Sequence, residues 1–246
     1  MFAKDAPLVG ATADQLKKEL TPFTVATHNS VIELLQPKGQ NKHAVFIVKE
    51  SEAITYSCER NTEDPRIAHS LNIKLDEYGN VLESASVVYP RKITDASLPA
   101  ETQEAQNKTL IIYTQNHFTN DIDTADAYRL RLPSEVKTYE LKGVTKADPL
   151  YSVGEFQNIL TAANETGYHQ IDTNPAPGTS QKRLIEHIRT TFYKNDLTGA
   201  LALHQLESKG LPFESYQLAY TPALIADLFG AKVNAALMLE GKFSHS

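Results

Sequence analysis

Residues 66–90 show the clearest alternation of apolar and polar side chains in the chain. One parity of the first half holds four apolar residues and a single histidine: Ile67, His69, Leu71, Ile73 and Leu75. The other parity is polar, and this period of two is typical of a β-strand with one buried face. Gly79 and Asn80 follow, two residues that tolerate the positive φ of tight turns, and Pro90 ends the return strand. The pattern predicts a β-hairpin.

The segments before and after this hairpin also have the composition of strands. Thr24 to Leu35 is rich in β-branched residues and ends at a turn-forming cluster. Apolar residues occupy both parities of residues 44–48, which predicts a strand covered on both sides. A turn at Lys49–Glu52 and a second short strand at Ala53–Cys58 are expected next. Extended structure is also predicted in three later segments: Thr109–Thr114, Arg129–Leu132 and Glu135–Leu141.

Helical signals are fewer. Ser152 to Ala163 is the best candidate, because Ser152 and Glu155 have the spacing of a capping box. Its apolar residues share one helical face: Val153, Phe156, Ile159, Leu160 and Ala163. Thr221 to Phe229 is a second candidate that Gly230 would end.

The remaining segments are mixed or polar. Ala11 to Leu20 fits a short helix. Residues 181–193 fit both a helical stripe and a strand, so both interpretations stay open. Thr94 to Lys108 is predicted to be a surface loop or poorly ordered, Asn116 to Ala127 a connection, and residues 164–181 a turn-rich solvated segment.

Composition narrows the class of protein. The chain has 246 residues, 41% hydrophobic and 22% charged, which indicates a globular protein able to bury a core. Its net charge of −6, without a Lys/Arg cluster, argues against a nucleic-acid or anionic-membrane surface. No apolar run approaches the roughly 18 residues of a membrane span, and the N-terminus lacks a signal-peptide pattern. The single cysteine, Cys58, excludes an internal disulfide.

One acidic segment suggests a calcium loop. Four oxygen-bearing side chains fall within residues 120–126: Asn120, Asp121, Asp123 and Asp126. An EF-hand loop needs glycine at its sixth position and glutamate at its twelfth, where this chain has Ala125 and Arg131. A solvated connecting loop is therefore the favoured interpretation.

Two other groups of residues could carry chemistry. Cys58 with His28, His43 or His69 would resemble a thiol–imidazole pair, but the parity of Cys58 points inward, which favours a small buried side chain. His69 interrupts an apolar face and is expected to be a satisfied core or sheet-edge histidine.

The acidic and basic residues of 59–66 form the second group. They are Glu59, Arg60, Glu63, Asp64 and Arg66. Carboxylates there could act in general acid–base catalysis, but an ion-pair network before the hairpin is favoured, since no second group completes a catalytic set. We therefore expect no catalytic residue, no cofactor and no metal site.

Several long blocks of sequence resemble a known family. Residues 36–56, 57–92 and 119–141 resemble the middle/C-terminal region of the B component of bacterial tripartite (Tc) insecticidal toxins, and residues 181–201 and 210–230 resemble its continuation. Residues 76–80 are also similar to the turn of a YD repeat. However, Leu75 replaces the leading tyrosine, and no fixed-period array follows.

The resemblance implies a fold and a set of partners. In that family the B and C components build a hollow β shell related to RHS/YD-repeat proteins, which holds the toxic part of C. The implied fold is therefore mainly β, with antiparallel hairpins forming a curved sheet and one or two short helices, and it favours a strand at residues 181–193. The implied partners are the rest of the B subunit and the C component through strand pairing, with the pore-forming A component contacted only indirectly.

The chain is accordingly interpreted as a non-enzymatic fragment of a secreted toxin complex, made in the bacterial cytoplasm without a signal peptide. The expected division is a polar extension over residues 1–22, a β-rich region over 23–146 and its continuation over 147–246. A free-standing carbohydrate- or protein-binding module is the alternative, and an enzyme that uses residues 59–66 is a third. Open strand edges, an aromatic platform or a polar pocket would distinguish these three.

Overall fold

The computed structural model describes residues 12–14, 21–144 and 150–240. Its strands are β1 (Thr24–Gln36), β2 (Val45–Ser57), β3 (Arg66–Leu75), β4 (Val81–Val88), β5 (Leu110–Phe118), β6 (Ile122–Thr124), β7 (Ala127–Arg129), β8 (Pro133–Lys142), β9 (Asn164–Thr166), β10 (Gln181–Phe192) and β11 (Pro212–Gln217). Its helices are α1 (Ala100–Gln106), α2 (Val153–Ala162), α3 (Pro222–Phe229) and α4 (Ala235–Glu240), with a 3₁₀ turn at Gly230–Lys232. No helix among these residues is both long and apolar enough to cross a membrane.

Nine of the strands form one open sheet. Its order is β1-β2-β3-β4-β5-β8-β10-β11, and β9 pairs with β10 in parallel while the other pairs are antiparallel. The hairpin of β6 and β7 stands apart from this sheet. The predicted mainly β fold with few short helices is confirmed. The expected division of the chain near residues 143–150 stays a prediction.

The central hairpin forms as predicted. β3 and β4 pair antiparallel from Ala68 opposite Val88 to Leu75 opposite Val81. The side chain of Asp76 accepts hydrogen bonds from the backbone N–H groups of Tyr78 (3.0 Å) and Asn80 (2.8 Å), which closes the turn. Gly79 has a φ of +87°, a conformation that costs glycine little.

The core lies on one face of the sheet. Register places two mainly apolar rows of directly opposite residues across β3, β4, β5 and β8. The first row is His69, Val87, Ile111 and Leu141, and the second is Leu71, Ala85, Tyr113 and Tyr139. Helix α2 covers these rows through Phe156, which is fully buried. Because aromatic side chains bury the most area, Phe156 dominates this contact.

Three ambiguous or tentative elements are resolved. Residues Gln181–Phe192 form strand β10 rather than a helix, as the resemblance implied. Helix α2 has the predicted capping box, in which the Ser152 hydroxyl oxygen accepts from the Glu155 N–H and the Glu155 carboxylate accepts from the Ser152 N–H at 2.7 Å. Helix α3 begins after Thr221 and ends at Gly230, also as predicted.

The predicted turn at Lys49–Glu52 is wrong, since β2 runs through it without interruption. β1 pairs along the whole length of β2, and the polar run accommodates a bulge: Asn29 lies opposite Glu52 and Ser30 opposite Glu50, so Ser51 is the extra residue. A polar run has the composition of a turn, but it can equally hold the unpaired residue and local bend of a β-bulge.

Three of the predicted connections contain regular structure. Helix α1 lies inside the segment 94–108 with no buried residue. The segment 116–127 contains the end of β5 and most of the β6–β7 hairpin, and β9 occupies the start of 164–181. These elements are short and solvated, so their sequences lack the apolar periodicity from which they could be predicted. The helix predicted at Ala11–Leu20 lies outside the described residues except for residues 12–14.

Candidate functional site

Both outermost strands of the open sheet have one unpaired side. Within the described residues, β1 pairs only with β2, and β11 pairs only with β10. Such an edge presents a row of backbone N–H and C=O groups to which another strand can add. β1 has 13 residues, more than twice the usual strand length of about 5–6. It is therefore an unusually long open edge.

The distal half of β1 and β2 extends beyond the rest of the sheet as a two-stranded ribbon. β3 pairs with β2 only over Glu52–Ser57, so residues 45–50 pair with β1 alone. Residues 30–36 of β1 and 45–50 of β2 are called the ribbon below. Two-stranded ribbons are marginally stable in water unless one face is packed.

One face of the ribbon is apolar and open. Register places Ile32 opposite Val48 and Leu34 opposite Phe46, so these four side chains share a face. Their exposed fractions are 66%, 64%, 54% and 57% respectively. The prediction that residues 44–48 are covered on both sides is therefore wrong for the described chain, because nothing in it packs on this face.

The opposite face of the ribbon contacts the turn of the central hairpin. Gly79, in the β3–β4 turn, lies against Lys49 and Ile47. Lys49 is only 7% exposed, and its ammonium lies 2.7 Å from the Glu33 carboxylate across the strand pair. The turn thus covers this face at Lys49 and Ile47, although Val31, opposite Lys49, is still 46% exposed. The face with Ile32 and Phe46 has no such cover among the described residues.

A second group of functional side chains lies at the polar end of the core face and was not predicted from the sequence. Register places His117 on β5, Glu135 on β8 and Arg189 on β10 directly opposite one another. The Glu135 carboxylate is almost fully buried and lies 2.6 Å from His187 Nε2 and 3.1 Å from Arg189 Nε. Three further basic groups surround it: His117 Nδ1 at 3.3 Å, Lys137 Nζ at 3.5 Å and His204 Nε2 at 3.6 Å. We call these six residues the Glu135 cluster.

Ionisation in the Glu135 cluster follows from this geometry. Burial disfavours the charged carboxylate, but the hydrogen bond from His187, the charge of Lys137 and the hydrogen bond from Arg189 outweigh it and lower the pKa of Glu135 to about 2. Burial also lowers the pKa of His187 and of His204, and the positive charges of Lys137 and Arg189 add to this effect. One buried anion therefore faces two permanent cations and two histidines, His187 and His204, whose pKa values are lowered.

Two carboxylates of residues 59–66, those of Glu59 and Asp64, form ion pairs. Arg66 pairs with Glu59 in the exposed loop. Asp64 is buried and binds Arg91, whose Nη2 lies 2.5 Å away, and it also accepts from the backbone N–H groups of Lys92 and Ile93. Burial opposes ionisation, but these bonds lower the pKa of Asp64. The carboxylate closes the base of the central hairpin.

The structure does not bring Cys58 and the three named histidines together. The Cys58 thiol is buried as predicted and donates weakly to the Tyr56 carbonyl at 3.9 Å. His28 pairs with Glu50 on the exposed ribbon. His69 is buried, with its ring nitrogens 2.9 Å from the Tyr89 hydroxyl and 3.2 Å from Glu52, which confirms a satisfied core histidine.

The candidate calcium residues serve other contacts. The Asn120 side chain accepts from the Leu206 N–H at 2.8 Å, and Asp121 binds the Arg131 guanidinium at 2.6 Å. Asn120 thus joins the β5–β8 connection to residues 193–211, and Asp121 bonds to Arg131 within the same connection. Among residues 12–14, 21–144 and 150–240, no group of three or more His, Cys, Asp or Glu side chains could hold a metal ion.

Comparison with solved structures finds the same fold in toxin complexes. The crystal structure of TcdB2-TccC3 matches with a TM-score of 0.61 and 17% identity, covering 91% of this chain and 10% of that chain. The Photorhabdus luminescens Tc holotoxin pore, carrying a mutation in TccC3, matches with a TM-score of 0.63 and 16% identity over the same shares. A TcdB2-TccC3-TEV crystal structure matches with a TM-score of 0.61 and 16% identity. The chain thus spans about a tenth of these proteins.

A family model identifies the sequence itself. No curated protein matches the chain. The model described as insecticide toxin TcdB middle/C-terminal region matches residues 10–132, which include the ribbon, the central hairpin and β5. On this match, the chain belongs to the family of the insecticide toxin TcdB middle/C-terminal region.

Proposed function

We propose that this chain is a non-enzymatic wall segment of a B-type subunit in a secreted insecticidal toxin complex. Its sheet edges pair with flanking parts of that subunit and with the C component, and the joined sheets enclose a toxic cargo polypeptide. The pore-forming A component is contacted only indirectly. The observation that carries the proposal is the open nine-stranded sheet in a chain that belongs to a toxin B family.

The exposed surface of the ribbon supports a role inside a larger assembly. A long edge strand with an apolar face is an aggregation hazard for a free protein, and natural proteins cover or charge such edges. Here four apolar side chains stand uncovered beside the open edge: Ile32, Leu34, Phe46 and Val48. A free-standing binding module would instead need satisfied edges, so the ribbon favours the wall segment over that alternative.

The buried carboxylates support the non-enzymatic part of the proposal. A general acid or base works best with a pKa near the working pH. Asp64 and Glu135 are instead held by arginine and other donors, and their pKa values are lowered. Such groups remain ionised and bonded near neutral pH, as structural ion pairs do.

A matched pair of substitutions in the complete B-type subunit tests the proposal. Ile32 on the ribbon and Ile171 in a loop are similarly exposed, at 66% and 60%. Ile32→Lys would bury an unpaired ammonium where another sheet covers the ribbon, whereas Ile171→Lys leaves its charge in water. We expect Ile32→Lys to reduce recovery of the soluble complex with the C component by about tenfold, which corresponds to roughly 1.4 kcal/mol. The cargo should also lose its protection from added protease.

The control variant shows whether the loss of assembly is specific to the ribbon. Ile171→Lys should assemble and protect the cargo as the unmodified subunit does. Equal assembly and equal cargo protection in both variants would refute the wall role of the ribbon.

A further inference from the structure

The Glu135 cluster joins four separate parts of the chain through one carboxylate. His117 comes from β5, Glu135 and Lys137 from β8, and His187 and Arg189 from β10. His204 comes from the connection between β10 and β11, residues 193–211. The cluster therefore fixes this connection, which leads into the edge strand β11, to the interior strands of the sheet.

Hydrogen bonding assigns the protons of two histidines at neutral pH. Ser134 Oγ has one proton and donates it to the carbonyl of His117 at 3.0 Å, so it accepts from His204 Nδ1 at 2.8 Å. The other nitrogen of neutral His204, Nε2, is then unprotonated and lies 3.6 Å from Glu135, beyond hydrogen-bond distance. His187 Nε2 lies 2.6 Å from a Glu135 oxygen and 3.1 Å from Arg189 Nε. Because two lone pairs would repel at 2.6 Å, we assign the Nε2 proton to the bond with Glu135, and Arg189 Nε donates to the same carboxylate oxygen at 3.1 Å.

Acidification makes the net charge of the Glu135 cluster more positive. With neutral histidines, Lys137 and Arg189 already outnumber the single carboxylate. Each protonated histidine adds a positive charge, and the rings of His117 and His204 are only 5.4 Å apart between centroids. Glu135, with a pKa of about 2, stays ionised throughout the range in which histidine titrates and cannot add a second negative charge.

The other charged groups on this face do not restore the balance. On β4, Glu83 binds the Tyr113 hydroxyl at 2.6 Å and lies 3.9 Å from Lys74 Nζ. On β11, Glu214 binds Tyr216, the residue opposite Arg189. Tyr139 on β8 is half-buried, with its pKa raised by burial, and stays neutral. No second carboxylate contacts the histidines within the described residues.

We propose that the Glu135 cluster is a proton-sensitive latch, in which protonation of His187 and His204 releases the 193–211 connection and loosens the edge strand β11. At neutral pH the latch holds one open edge of the sheet in place. In an acidic medium this edge becomes free to rearrange or to exchange its partner strand. The proposal does not depend on the wall role of the chain.

Hydrogen exchange of two backbone amides in the complete chain tests the latch. The Leu206 N–H donates to Asn120 Oδ1 at 2.8 Å, beside His204, and the Tyr193 N–H donates to the Leu211 carbonyl at 2.8 Å, where the connection meets β11. Exchange is measured at about pH 7.5 and about pH 5, on either side of the ordinary histidine pKa and above that of carboxylates. After correction for intrinsic rates, we expect the protection of both amides to fall by about tenfold relative to β5.

Neutral mimics of the two histidines provide the decisive comparison. His187→Gln keeps an N–H donor for Glu135, and His204→Asn keeps a donor for Ser134 at a φ of +66°, which asparagine tolerates. The double variant should retain its protection at about pH 5. The control His28→Asn, on the ribbon, should lose protection as the unmodified chain does. If the double variant fails to fold, His204→Asn alone is measured in the same way.

Two results would overturn the latch. One is unchanged protection of both amides in the unmodified chain at acidic pH. The other is an equal loss of protection in the neutral-mimic variants, because the histidines would then not be the groups that respond.

Discussion

Individual residues hold the hairpins of this sheet together at positions where strands end. Asp64 is the clearest case, because its carboxylate connects the start of β3 to the segment after β4 through Arg91 and two backbone N–H groups. Hydrogen bonds to charged groups are worth more than neutral ones, and a buried carboxylate without them would be costly.

Asp64→Asn should destabilise the chain by about 2 kcal/mol at neutral pH, because the amide keeps the shape but loses the charge-assisted bonds. The lowered pKa sets the pH dependence. A depressed carboxylate pKa stabilises the fold above the unfolded pKa, near 3.8, and this stabilisation is lost as the pH falls further. Urea unfolding at pH values above and below 3.8 measures both effects.

Asp95→Asn is the matched control, since the Asp95 side chain binds the neighbouring Ser97 in an exposed turn. It should cause little change in unfolding free energy. A loss for Asp64→Asn no larger than for Asp95→Asn would contradict the role assigned to Asp64.

At the residue scale, the sequence predicted types of environment better than partners. His69 and Cys58 were expected to be buried, because their parity places them on the apolar face, and both are. The partner of Asp64 was not predicted, because Arg91 lies 27 residues away and meets it only when the hairpin closes. The role of Asn120 was missed for the same reason, since its partner Leu206 belongs to a distant segment.

Whole elements depend on a few backbone positions where only glycine fits. Gly143 follows β8 with a φ of +74°, and a Cβ there would lie 2.3 Å from the Thr179 carbonyl oxygen and 2.4 Å from Pro175. The end of β8 therefore approaches the loop before β10 at backbone contact. Gly178 has a similar φ of +77° in open space.

The two glycines allow backbone strain and steric overlap to be separated. Gly178→Ala should cost about 1 kcal/mol, from positive φ alone. Gly143→Ala should cost this amount and about 2 kcal/mol more, because the methyl group overlaps with backbone that cannot move freely. Urea unfolding of both variants gives the difference. Equal losses would show that the contact between β8 and the loop is not tight.

At the element scale, alternation and capping were reliable guides. The central hairpin and helix α2 formed as predicted, because each carries several agreeing local signals. The break predicted within β2 was wrong, because a polar run over a bulge has the same composition as a turn. The strand at residues 181–193 could not be assigned from its pattern, since its residues are evenly half-buried rather than alternating.

The order of strands in the whole molecule was beyond local sequence patterns. β5 pairs with β8 and β8 with β10, which skips the β6–β7 hairpin and helix α2. Only this order brings His117, Glu135 and Arg189 into one row, so the Glu135 cluster could not have been found in advance. The open edges were expected from the resemblance to a shell protein, and the structure has them.

The central claim is that another part of a larger assembly covers the open edge of β1. Hydrogen exchange of residues 24–36 in the isolated chain and in the complete B-type subunit bound to its C component tests this most directly. We expect rapid exchange of the outward-facing amides of β1 in the isolated chain and strong protection in the assembly, because a neighbouring strand would accept their hydrogen bonds. Equally rapid exchange of β1 in both states would contradict it.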